Sequence, residues 1–128
     1  MEEPGSEEAR VAYAQANEVV STSVAYVEAT SALARMHKGG RITAAQLRAK
    51  RGEVERVWQA LYVRAVDGVV IELAAQSTAE HALRAYDAMH LAGALAFAEG
   101  EEVEFACWDR ELREAATKHG FALVPEQL

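Results

Sequence analysis

Residues 83–124 read LRAYDAMHLAGALAFAEGEEVEFACWDRELREAATKHGFALV. From Leu83 to Ala98 the stretch is apolar almost all round, which predicts a buried rather than an amphipathic helix. Gly100 ends it, and Val103–Trp108 is a short run of strand formers. Asp109–His119 reads as a second helix with Gly120 behind it, and Phe121–Val124 as a last strand. Strands that always have a helix between them point to parallel pairing, because parallel neighbours need a long crossover.

The same alternation continues towards the N-terminus. Ser77-Thr-Ala-Glu80 has capping-box spacing, residues 68–75 favour a helix, and Tyr62–Val66 alternates like a strand. Thr43-Ala-Ala-Gln46 is another capping box, opening a long helix whose Leu47, Val54, Val57, Trp58 and Leu61 recur at helical spacing. A helix from Val24 to about Lys38 is stopped by Gly39-Gly40, and Ser21, Thr22 and Ser23 offer caps for its start. Before it come a short strand signal at Glu18-Val19-Val20 and a helix over residues 7–16. The expected fold class is α/β with a central, mainly parallel sheet flanked by helices.

The 128 residues fit one domain, and such a chain buries about two thirds of its unfolded surface. A hydrophobic share of 51% with 26% charged residues excludes a disordered chain. Cys107 is the single cysteine, so an internal disulfide or a multi-cysteine metal site is excluded. No apolar run nears the roughly 18 residues of a membrane span. The opening MEEPGSEEAR is acidic and unlike a secretory signal, so the expected compartment is the cytoplasm.

A net charge of −7 argues against coating nucleic acid by bulk attraction. The distribution is uneven. Residues 35–56 hold seven bases (Arg35, Lys38, Arg41, Arg48, Lys50, Arg51, Arg56) against two acids. This basic island reads either as a solvated helical face or as a contact surface for phosphates or an acidic partner, with Lys38, Arg41 and Arg48 as its candidate contacts.

Three carboxylates stand in apolar or strand-end positions. Glu28 lies in Val24-Ala-Tyr-Val-Glu-Ala-Thr, Asp87 near the start of the most apolar helix, and Asp109 at the end of a strand. Ligands of parallel sheets gather beyond the carboxyl ends of strands, where Asp109 belongs and which Glu28 can reach. Converging carboxylates are relieved most naturally by Mg²⁺ or Mn²⁺, which take hard oxygen ligands and promote phosphodiester hydrolysis. Each acid also has a plain structural role: Asp109 as a helix cap, Asp87 as a partner of Arg84, Glu28 as a solvent-facing residue. The histidines His37, His81, His90 and His119 are isolated in sequence, although His90 follows Asp87 at a spacing that shares a helix face. No phosphate-binding glycine loop or nucleophile elbow is present, and Cys107 reads as packing.

Three segments carry a resemblance: Thr22-Ser-Val-Ala-Tyr-Val-Glu28-Ala, Leu83-Arg-Ala-Tyr-Asp87-Ala-Met-His-Leu-Ala-Gly-Ala-Leu, and Phe105-Ala-Cys-Trp-Asp109-Arg-Glu-Leu. Together with the chain order they resemble the PIN-domain ribonucleases, in particular VapC-like toxins of toxin–antitoxin pairs. The resemblance implies a three-layer sandwich and an acidic pocket holding Mg²⁺ or Mn²⁺. It makes Glu28, Asp87 and Asp109 the catalytic and metal-binding acids, and implies RNA as substrate, a cognate antitoxin and a homodimer. Two departures accompany it. The family begins with an aspartate-bearing central strand that has no counterpart here, so residues 1–128 are expected to form a single PIN-like domain lacking that strand. Cys107 also stands where the family often has Thr or Ser. A nuclease-inactive module that binds antitoxin or dimerises without catalysis is the alternative expectation.

Overall fold

Ala88, Leu91 and Ala92 of the predicted apolar helix are fully buried, and the other elements pack around them. The computed structural model describes residues 5–16 and 18–128. In chain order the elements are α1 (Ser6–Gln15), β1 (Val20–Thr22), α2 (Ser23–Lys38), α3 (Ala44–Ala60), β2 (Tyr62–Arg64), α4 (Gly68–His81), α5 (Ala85–Ala98), β3 (Glu104–Ala106), α6 (Arg110–Lys118) and β4 (Ala122–Val124).

The α/β class holds. β1 pairs in parallel with β2, placing Val20 opposite Tyr62 and Thr22 opposite Arg64. β3 pairs in parallel with β4, placing Phe105 opposite Leu123. The expected central sheet is present as these two parallel pairs, and no strand joins them among the described residues. α5 packs most extensively on α4 and also meets β1 and α6. Its small residues allow this: Ala88, Ala92, Gly93 and Ala98 keep the neighbouring backbones close. Val70 and Ala74 of α4, Leu112, Ala115 and Ala116 of α6, and the Phe105–Phe121 stack complete the core.

Local signals acted where nothing long-range opposed them. The Thr43 capping box forms as read, with the Thr43 hydroxyl accepting from the Gln46 N–H and the Gln46 side chain accepting from the Thr43 N–H. The second box does not form. Helix α4 runs unbroken from Gly68 to His81, capped by Asp67 on the Val70 N–H, and Ser77 is buried inside it. Burying Ala74 and Ser77 outweighs a cap worth about 1 kcal/mol. β1 lies two residues later than its sequence signal, because Val20–Thr22 is the segment in register with β2.

Helices α2 and α3 form a hairpin in which no residue is fully buried. Tyr26 and Trp58 meet edge to face at 5.3 Å, and the Tyr26 hydroxyl donates to Glu55 at 2.6 Å. That bond pushes the Tyr26 phenol above its usual range. At the other end of the chain, the buried Arg113 guanidinium donates to the carbonyls of Cys107, Pro125 and Glu126. It thereby ties the end of β3 and the C-terminal residues to α6. No helix of the described residues is long and apolar enough to cross a membrane.

Candidate active site

Thr22 is the last residue of β1, and Asp109 stands three residues beyond the end of β3. The carboxyl ends of both parallel pairs therefore carry polar groups, and the N-terminal part of α5 meets them. Arg84 occupies the cap position of α5, Asp87 its first turn, and His90 lies one turn further. A spacing of three residues keeps these side chains on one face. The helix dipole also favours a carboxylate in the first turn, which suits Asp87.

Asp87 and Asp109 converge on a single cation. Arg84 Nε lies 3.5 Å from Asp87 Oδ2, and its Nη2 donates to Asp109 Oδ2 at 3.3 Å. The Arg84 side chain is 79% exposed while that of Asp87 is 22% exposed, so the guanidinium closes the pair from the solvent side. The second oxygen of Asp109 accepts the Leu112 N–H at 3.0 Å and caps α6. Both plain structural readings of these acids are thus realised, and they coexist with convergence.

Glu28, in α2, is held by a different partner. His90 Nε2 meets Glu28 Oε1 at 2.5 Å, and His90 Nδ1 meets the buried Thr22 hydroxyl at 2.8 Å. A carboxylate only accepts, so Nε2 carries the proton, and in the neutral ring Nδ1 accepts from Thr22. Thr22 spends its hydroxyl on His90 and makes no side-chain cap to α2. The close approach of β1 to α5 needs Gly93, where a Cβ would overlap Thr22 Cγ2. Among the described residues, Glu28, Asp87 and Asp109 are not a set whose donor atoms all lie within 4.8 Å of one another. Glu28 joins the other two through α5, by way of His90.

Arg84, His90 and Thr22 belong to this constellation and were not singled out as site residues by sequence. The spacing of Arg84, Asp87 and His90 was the available signal. Cys107 is buried in the core, and burial pushes its thiol up to about 11. Lys38, Arg41 and Arg48 are exposed around the α2–α3 turn, with Lys38 about 15 Å along α2 from Glu28. They form a surface apart from the acids.

The site thus defined is a pair of carboxylates beyond parallel strands in an α/β chain, with a third carboxylate, Glu28 of α2, held by His90 one helix turn along α5 from Asp87. No protein-family model matches the chain. Two curated relatives do: Ribonuclease VapC45 of Mycobacterium tuberculosis strain CDC 1551 / Oshkosh and Ribonuclease VapC49 of strain ATCC 25618 / H37Rv. Each is 32% identical over 126 residues, covering 98% of this chain and 87% of the relative. The chain belongs to the VapC ribonuclease family.

Proposed function

We propose that the chain is a metal-dependent endoribonuclease of the toxin type, hydrolysing RNA phosphodiester bonds with Glu28, Asp87 and Asp109. The observation that carries this reading is the convergence of Asp87 and Asp109 on the Arg84 guanidinium. A guanidinium is a diffuse monovalent cation, and it occupies the place where two anionic oxygens call for positive charge. Carboxylate oxygens are the donors that Mg²⁺ and Mn²⁺ select, so the donor set fits such an ion. When bound, the ion would polarise the scissile phosphate and lower the pKa of an attacking water.

The chain's own residues would do the remainder. Asp109 is fixed by its cap to Leu112, and Asp87 by the first turn of α5, so neither carboxylate needs to search for position. The exposed Arg84 can swing from the two acids to a substrate phosphate, the bidentate partner for which its geometry is suited. His90, steadied by Thr22, holds Glu28 towards α5. Lys38, Arg41 and Arg48 would take RNA phosphates or an acidic partner at the hairpin tip. In this reading the protein works in the cytoplasm as a homodimer and is silenced by a cognate antitoxin.

One experiment tests the reading: incubate the chain with RNA and Mn²⁺, with EDTA and Asp87→Asn as controls. Cleavage that both controls abolish supports it. The second reading, a nuclease-inactive module that binds antitoxin or dimerises, is favoured by Arg84 neutralising the two acids and by Glu28 being engaged by His90. A folded chain that cleaves no RNA with Mn²⁺ or Mg²⁺ would favour that module instead.

A further inference from the structure

His81 and His119 are separated by 38 residues, yet their Nε2 atoms lie 3.0 Å apart. His81 ends α4, and His119 caps the C-terminal end of α6. Glu80 Oε2 lies 3.3 Å from His81 Nε2 and 3.9 Å from His119 Nε2. Among the described residues, this is the group of three ligand-bearing side chains whose donor atoms all lie within 4.8 Å of one another. We propose that Glu80, His81 and His119 form a site for a transition-metal ion of the zinc type, distinct from the acidic site.

The distances match the chemistry. Zinc bonds of about 2.0–2.1 Å at tetrahedral angles set neighbouring donors about 3.3 Å apart. Contacts of 3.0, 3.3 and 3.9 Å already outline one face of such a tetrahedron. The fourth position falls to solvent, because the Glu80 side chain is 61% exposed while His81 and His119 are 9% and 27% exposed. Without an ion, two Nε2 atoms at this distance satisfy each other only when one ring carries its proton there and the other does not. With an ion, both lone pairs and the carboxylate point at the same charge. Two imidazoles and one carboxylate select zinc, cobalt, nickel or copper over magnesium, the reverse of an all-carboxylate site.

The position indicates a structural role. Asp109 caps one end of α6 and His119 the other, and the ten residue steps between them put them about 15 Å apart. An ion held here would tie the end of α4 to the end of α6, which both pack against α5. A ligand bound only by the folded chain raises its stability by mass action.

The test uses the untagged chain, stripped with EDTA and titrated with Co²⁺ and then Zn²⁺. The visible Co²⁺ bands report tetrahedral coordination, and calorimetry gives stoichiometry. With excess Mg²⁺ present to hold the acidic site, one ion per chain is expected, with a Zn²⁺ dissociation constant of roughly 10 µM or tighter. His119→Gln and Glu80→Gln should each weaken it by roughly tenfold or more, while Asp87→Asn leaves it unchanged. Saturating Zn²⁺ should raise the melting temperature of the wild type by about 5 °C or more, and leave that of His119→Gln unmoved. Both variants change exposed or half-exposed side chains, so folding, checked by circular dichroism, is retained. Absence of saturable binding up to 1 mM Zn²⁺, or binding that survives His119→Gln or disappears in Asp87→Asn, would overturn the proposal. None of these readouts depends on RNA cleavage.

Discussion

Asp109 uses its two carboxylate oxygens differently: one accepts the Leu112 N–H at 3.0 Å, and the other faces Arg84 at 3.3 Å. Asparagine is as good a helix cap as aspartate but carries no charge. Asp109→Asn should therefore stay within about 0.5 kcal/mol of wild-type stability in urea titrations yet lack the metal-dependent RNA cleavage proposed for the chain. Asp109→Ala should lose both, with a stability cost of about 1 kcal/mol. Equal stability of the two variants would show that the cap contributes nothing. Cys107 offers a pH test at the same scale. Burial raises its thiol to about 11 from an ordinary value of 9.0, so the reactive thiolate is scarce at neutral pH in the folded state. Alkylation of the native chain should be slow at pH 8 and accelerate up to about pH 11, whereas alkylation in denaturant should level off near pH 9. Iodoacetamide rates followed by mass spectrometry would check this.

At the scale of elements, the contact between β1 and α5 is the one that brings Thr22 to His90, which in turn holds Glu28. Gly93 lies inside α5, where alanine would ordinarily gain up to about 1 kcal/mol of helix propensity. Here a Cβ would run into the Thr22 methyl. The clash outweighs the propensity, so Gly93→Ala should destabilise the fold by about 1–3 kcal/mol and push Thr22 away from His90. A rise in thermal stability instead would show that β1 yields freely. The sequence made the apolar character of α5 plain, and with it the burial of Ala88 and Leu91. It held no sign that Gly93 is a contact point, because that depends on which strand crosses the helix. The failed cap at Ser77 has the same origin: a four-residue pattern matched, but tertiary packing buries Ser77 inside an unbroken α4.

Over the whole molecule, charge is uneven: the chain carries a net −7, yet the turn between α2 and α3 is basic. Arg41 and Arg48 are exposed there, and no ion pair holds them among the described residues. Replacing both by alanine should leave folding unchanged and raise the RNA dissociation constant. The salt slope of binding should fall by about one for each phosphate that the chain no longer neutralises. An unchanged slope would remove the hairpin from RNA recognition. Secondary structure, the caps at Thr43 and Asp109 and the buried helix were legible in the sequence because each rests on partners within a few residues or on a repeating period. The three acids were legible as candidates for the same reason, each standing out against its apolar or strand-end neighbours. The pairing of Asp87 with Arg84, three residues away, was legible too, but the long-range partners were not. Arg84 reaches Asp109 across 25 residues, Glu28 reaches His90 across 62, Thr22 reaches His90 across 68, and His81 reaches His119 across 38. Those meetings were decided by tertiary structure, through strand register and the packing of small residues along α5, which no local pattern encodes.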